Sequence, residues 1–132
     1  MPEYSAKQFD PPAPVANVTL RNPATGDSFA DVPMLIDTGA DTTLLPVYAV
    51  EQLGIEPDKD AVFEVQGFDG EIKLVKVVKL ELFFLDKKFT GEFLLVERPM
   101  GILGRNVLNN ICLLFDGPRG TWEEQKGYTP AN

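Results

Sequence analysis

The chain contains no histidine and only one cysteine in 132 residues. The first absence removes the Ser-His and Cys-His nucleophile systems, which need an imidazole base, and His-based zinc sites with them. The second excludes an internal disulfide, and Cys112, between Ile111 and Leu113, reads as a small buried apolar residue. Positive charge is scarce too: 12 Lys and Arg stand against 20 Asp and Glu, a net charge of −8, with no basic cluster. A nucleic-acid partner is therefore not expected, because phosphate contacts need clustered Lys and Arg. No apolar run is long enough to cross a bilayer, and residues 1–14 carry no apolar signal core. The expectation is no membrane insertion and a reducing, cytoplasmic home.

What is present is the composition of one globular domain, 44% hydrophobic and 24% charged. The pattern is of short strands punctuated by Gly, Pro and Asp. Residues 1–13 read as a flexible N-terminal arm, 14–126 as the domain and 127–132 as a C-terminal tail. Val15 to Leu20 and Phe29 to Ile36 flank the turn signal Asn22-Pro23-Ala24-Thr25-Gly26-Asp27. Pro46 to Leu53 is the best helix candidate, with proline in its first turn and Gly54 as its stop. Ala61 to Gln66 and Glu71 to Lys76 flank Gly67-Phe68-Asp69-Gly70, a possible hairpin tip. Leu74 to Phe84 has a period of two, with Leu74, Val78, Leu80, Leu82 and Phe84 on one face and Lys73, Lys79 and Glu81 on the other. A strand at Phe89 to Val96, a short buried strand at Ile102 to Gly104, a short helix at Asn106 to Asn110 and a last hairpin ending at Glu124 complete a mainly β domain.

The chemistry points to Asp37. It follows the apolar run Met34-Leu35-Ile36 and opens the segment Asp37-Thr38-Gly39-Ala40-Asp41-Thr42. A carboxylate at the end of a buried strand is costly unless it is hydrogen-bonded or shares a proton. Without histidine, carboxylates are the strongest candidates for acid–base work at such a position. One carboxylate is a poor catalyst of amide hydrolysis. Two that share a proton are a good one, because their pKa values are pushed apart and they can act as base and acid. The segment occurs once, so the second carboxylate has to come from another copy, and a two-fold homodimer supplies it. The plain alternative is that Asp37 forms only an Asx turn, with Thr38 and Thr42 as turn formers.

Leu35-Ile36-Asp37-Thr38-Gly39-Ala40-Asp41-Thr42-Thr43 resembles the active-site segment of retropepsin-type aspartic proteases, the single-domain dimeric relatives of pepsin. Gly101-Ile102-Leu103-Gly104-Arg105-Asn106-Val107-Leu108 resembles the same family's hydrophobic-hydrophobic-Gly segment and short helix. Gly67 to Gly70 lies between them, where the family places its flap. The resemblance implies a closed β-barrel-like fold with one or two short helices, homodimeric, and an endopeptidase without a cofactor. It gives Asp37 the role of acid/base, one per subunit, with Thr38 linking the two loops across the dimer axis and Gly39 close to Asp37 and the peptide. Ala40, Asp41, Gly67, Phe68, Asp69 and Gly70 would contact an extended peptide or protein substrate. Asp41 and Arg105 would form a supporting ion pair next to Gly104. An acidic linker after the helix (Glu56-Pro57-Asp58-Lys59-Asp60) and the Phe68-Asp69 tip depart from the viral pattern. The alternative of another class is a catalytically silent peptide-binding or dimerisation module on the same fold.

Overall fold

The computed structural model describes residues 2–66 and 72–127. In chain order its elements are β1 (Tyr4–Ser5), β2 (Ala13–Arg21), β3 (Ser28–Ile36), β4 (Leu44–Pro46), α1 (Val47–Gln52) and β5 (Asp58–Gln66). They continue with β6 (Ile72–Phe84), β7 (Lys87–Val96), β8 (Gly101–Leu103), α2 (Arg105–Leu108), β9 (Leu113–Asp116) and β10 (Thr121–Glu124). The strand order β1-β2-β3-β8-β4-β7-β6-β5 carries a further pairing between β2 and β6. That pairing closes six strands, β2-β3-β8-β4-β7-β6, into a barrel. The fold is mainly β, with two short helices, as the sequence pattern leads one to expect.

Local chemistry accounts for the joints. In the turn between β2 and β3, Asn22 Oδ1 accepts from the Ala24 N–H at 3.0 Å, and Gly26 takes φ +82°. Asn22 Nδ2 reaches across to the Leu53 carbonyl at 3.1 Å, tying this turn to the end of α1. Pro46 caps α1 in an extended conformation, and Gly54, at φ +65°, closes it with a hydrogen bond to the Glu51 carbonyl. The helix at the other end of the chain starts one residue earlier than its sequence pattern suggests, at Arg105.

Alternation along the strands fills the barrel. Val18 and Leu20 from β2, Val32 and Met34 from β3, Leu45 from β4, Val78, Leu80 and Leu82 from β6 and Leu103 from β8 are all essentially inaccessible. Each such side chain contributes roughly 1.5–3 kcal/mol relative to exposure. Glu81 departs from expectation. Glu81 is buried on the polar face of β6, between Arg21 of β2 and Lys88 of β7.

The amino-terminal segment is not a free arm. Tyr4 and Ser5 pair with Pro14 and Ala13, the Tyr4 N–H donates to Gly120 O at 2.8 Å, and the Trp122 N–H donates to Pro2 O at 3.1 Å. Its backbone satisfies one edge of β10, which is what holds it down. The other neighbour of β10 is β9, and the far edge of β9 has no strand partner among the described residues. Leu114 and Phe115 on β9 are 49% and 39% exposed. Trp122 Nε1 donates to Val15 O at 2.9 Å, and Val15 is the register partner of Leu35. The β9–β10 hairpin thus sits at the end of the barrel from which Asp37 emerges. Among the described residues no helix is long and apolar enough to cross a membrane.

Candidate active site

Asp37 is placed by a strand inserted between two others. β8 runs parallel to β3, with Met34 opposite Gly101 and Ile36 opposite Leu103, and antiparallel to β4 at Ile102–Leu44. The chain after β3 therefore has to arch over the end of β8 before it returns as β4. Two glycines make room for the crossing. A Cβ at Gly101 would fall 2.6 Å from Met34 Sδ and 2.9 Å from Pro46 Cδ. One at Gly104 would fall 2.6 Å from both Thr42 C and Thr42 O, and 3.0 Å from Ala40 O. No side chain fits there, so the arch lies directly on the Gly104 backbone.

The arch is stitched down by hydrogen bonds from end to end. The Asp37 N–H donates to Leu103 O at 3.1 Å and the Ala40 N–H to Asp37 O at 3.2 Å. Gly39 donates its N–H to Asp37 Oδ1 at 2.9 Å, which fixes one carboxylate oxygen of the half-buried acid. Oδ2 has no hydrogen-bond partner among the described residues. Arg105 donates from Nη1 to Thr38 O and from its backbone N–H to Ala40 O, both at 2.8 Å. At the far end the buried Thr43 hydroxyl accepts from the Gly104 N–H at 3.0 Å and donates to Asn106 Oδ1 at 2.7 Å. The arrangement presents one carboxylate, one oxygen held and the other open, on a backbone clamped from beneath.

Asp41 and Arg105, expected to pair, do not. They form no ion pair: the Arg105 guanidinium is turned onto the Thr38 carbonyl, and Asp41 is exposed. An exposed pair would gain little over hydration, whereas the carbonyl offers Arg105 a fixed acceptor within its own loop. Asp37, Thr38, Gly39, Ala40, Gly104 and Arg105 are brought together. Gly67, Phe68, Asp69 and Gly70 lie outside the described residues. Thr43 and Asn106 were not singled out by pattern. The available signal was a hydroxyl residue at the head of the apolar strand Thr43-Leu44-Leu45 and an amide directly after Gly104-Arg105.

A surface cavity of about 660 Å³ lies elsewhere, between β7 and α2, and its Lys87 and Lys88 are engaged by Glu124 and Glu81. Among the described residues no group of three or more His, Cys, Asp or Glu is placed to hold a metal ion.

Residues 18–107 match the aspartyl protease family, a span that includes both the Asp37 arch and the Gly104–Arg105 turn. The fold is similar to that of the EIAV protease, a retroviral protease, complexed with the inhibitor HBY-793. That likeness has a TM-score of 0.55 over 74% of this chain and 86% of that chain, at 20% sequence identity. No curated protein matches the sequence. At that identity the structural likeness carries the fold, and the sequence match carries the family. The chain belongs to the aspartyl protease family, on a fold like that of a retroviral protease.

Proposed function

We propose that this protein is an aspartic endopeptidase whose catalytic centre is assembled from two copies of Asp37, one per subunit of a homodimer. The observation that carries the reading is the half-built state of the site. Each chain offers one clamped carboxylate with Oδ1 held by Gly39 and Oδ2 open, on a loop whose Thr38 side chain is exposed.

Two such carboxylates in contact cannot both ionise, so the pair holds one proton. The ionised Asp37 takes a proton from a water as that oxygen attacks the peptide carbonyl carbon. The protonated Asp37 gives its proton to the carbonyl oxygen. As the C–N bond breaks, the newly ionised Asp37 takes a proton back from one hydroxyl of the tetrahedral species and the nitrogen leaves with the proton of the other Asp37, so the pair again holds one proton. Substrate binds as an added strand across the Asp37 loops, so backbone hydrogen bonds hold it and alternate side chains are selected. Ala40 and Asp41 flank the reacting bond.

The second copy is assigned to the open edge of β9. That edge exposes Leu114 and Phe115 at the Asp37 end of the barrel, and an unpaired apolar edge strand is a template for another chain. Cleavage of an unfolded-peptide library by the parent and by Asp37→Asn, with sedimentation of both, tests the reading. Cleavage by the parent dimer that vanishes in Asp37→Asn is the expected result. An Asp37→Asn protein as active as the parent, or a parent that stays a 14.6 kDa species, would overturn it. Binding of extended peptides without any cleavage would leave a silent peptide-binding module.

A further inference from the structure

Among the described residues, the Thr43 hydroxyl is the one side-chain group beneath the Asp37 arch that is both fully buried and doubly bonded. Thr43 has no accessible surface, and its Oγ1 accepts from the Gly104 N–H at 3.0 Å and donates to Asn106 Oδ1 at 2.7 Å. A hydroxyl has one proton to give, and here it both donates and accepts, along one line from Gly104 after β8 through Thr43 before β4 to Asn106 in α2. The line crosses where the chain has no slack. Gly104 lies within contact of Thr42 and Ala40, and Leu103, just before it, accepts from the Asp37 N–H. On the other side, Thr43 O accepts from the Leu94 N–H at 3.2 Å, which fixes Thr43 to β7.

We infer that Thr43 and Asn106 are positioning residues that set the height of the Asp37 arch over Gly104, and through it the separation of the two Asp37 carboxylates. The inference rests on the proposed Asp37 pair. Neither residue touches the reacting atoms. Their effect is on distance: the coupling that splits the titration of two carboxylates weakens as they move apart. An arch lifted from Gly104 changes that distance and weakens the coupling.

The experiment compares parent, Thr43→Val, Thr43→Ser and Asn106→Ala in peptide cleavage across pH, with thermal unfolding and sedimentation of each. Thr43→Val keeps shape and removes both bonds; Thr43→Ser restores the hydroxyl. Asn106→Ala, at an exposed position, removes only the acceptor and keeps the Gly104 bond, so it reads the same line if the valine protein fails to fold. Thr43→Val is expected to lower kcat by ~10–100-fold with KM little changed, as a misplaced catalytic group does. Its bell-shaped pH profile should narrow, with the two limbs approaching each other. The serine variant should recover most of the rate and the parent's profile width, and Asn106→Ala should shift both in the valine direction by less. A Thr43→Val dimer with the parent's kcat and profile width would overturn the inference and leave the Asp37 pair standing. So would a loss of activity matched by loss of dimer or fold at unchanged profile width. A parent with no Asp37-dependent cleavage would overturn both.

Discussion

Arg105 donates to Thr38 O through Nη1 and to Ala40 O through its backbone N–H, both at 2.8 Å, so one residue holds the chain on either side of Gly39. The carboxylate that Gly39 fixes is therefore steadied by a residue far along the chain. Arg105 is exposed, so its contribution is to geometry more than to stability.

Arg105→Lys should show this separation. A lysine is a point charge without the planar fork, and it cannot reproduce the guanidinium geometry against the Thr38 carbonyl. The unfolding midpoint should fall by little, consistent with a net loss of about 1 kcal/mol for an exposed hydrogen bond. Cleavage should fall by roughly tenfold or more if the arch tilts. Parallel denaturant melts and kcat/KM measurements check it; equal losses in both would mean that Arg105 acts only on stability.

Gly104→Ala makes a sharper claim. Its Cβ would lie 2.6 Å from Thr42 C and O, which are backbone atoms and cannot rotate away. A loss of about 1–3 kcal/mol is expected, towards the upper end because backbone has to move. Gly117→Ala is the control, since nothing lies within 4 Å of a Cβ there, and it should stay within about 0.5 kcal/mol. Urea midpoints of the two variants decide it.

Leu114→Glu and Phe115→Glu test the β9 edge. Both positions are well exposed in the single chain, so a charge there should leave thermal stability of the subunit nearly unchanged. Across a two-fold edge each substitution places two like charges in an apolar contact, and the dimer should dissociate. The expected result is a folded 14.6 kDa monomer without peptidase activity. A variant that remains dimeric at the parent's dissociation constant would move the interface elsewhere.

The parts of this molecule that were legible from sequence are those fixed by near neighbours. Asp37-Thr38-Gly39 reads as a turn because Gly39 closes back on the Asp37 side chain two residues away. Gly54 reads as a helix stop for the same local reason. The features that were not legible depend on which strand edges remain free after closure. Tyr4 and Ser5 look like part of a flexible arm until β2 and the Gly120 carbonyl offer backbone partners. Arg105 looks like a partner for Asp41 until the Thr38 carbonyl is found within reach. Thr43 reads as an ordinary strand residue, because its two partners lie 61 and 63 positions away.

Glu81 supplies a pH test of the barrel seam. It is the register partner of Arg21 where β2 meets β6, the pairing that closes the six strands, and Lys88 approaches it from β7 at 3.3 Å. The Arg21 hydrogen bond holds the Glu81 carboxyl below its ordinary pKa; burial opposes this, and Lys88 adds to the lowering. A carboxyl whose folded-state pKa is depressed stabilises the fold above its unfolded value, about 4.3, and that stabilisation is lost as pH falls through the lower folded value. Glu81→Gln removes the charge at every pH. The gap in unfolding temperature between parent and Glu81→Gln should therefore be full at pH 7 and begin to close below about pH 4. Melts of both proteins from pH 7 down to pH 3 measure it. A gap that stays constant over that range would mean the Arg21–Glu81 contact holds the seam by shape alone. A gap that closes would set an acid limit on the barrel that is separate from any titration of Asp37. Loss of cleavage in acid could then be divided between the site and the fold that carries it.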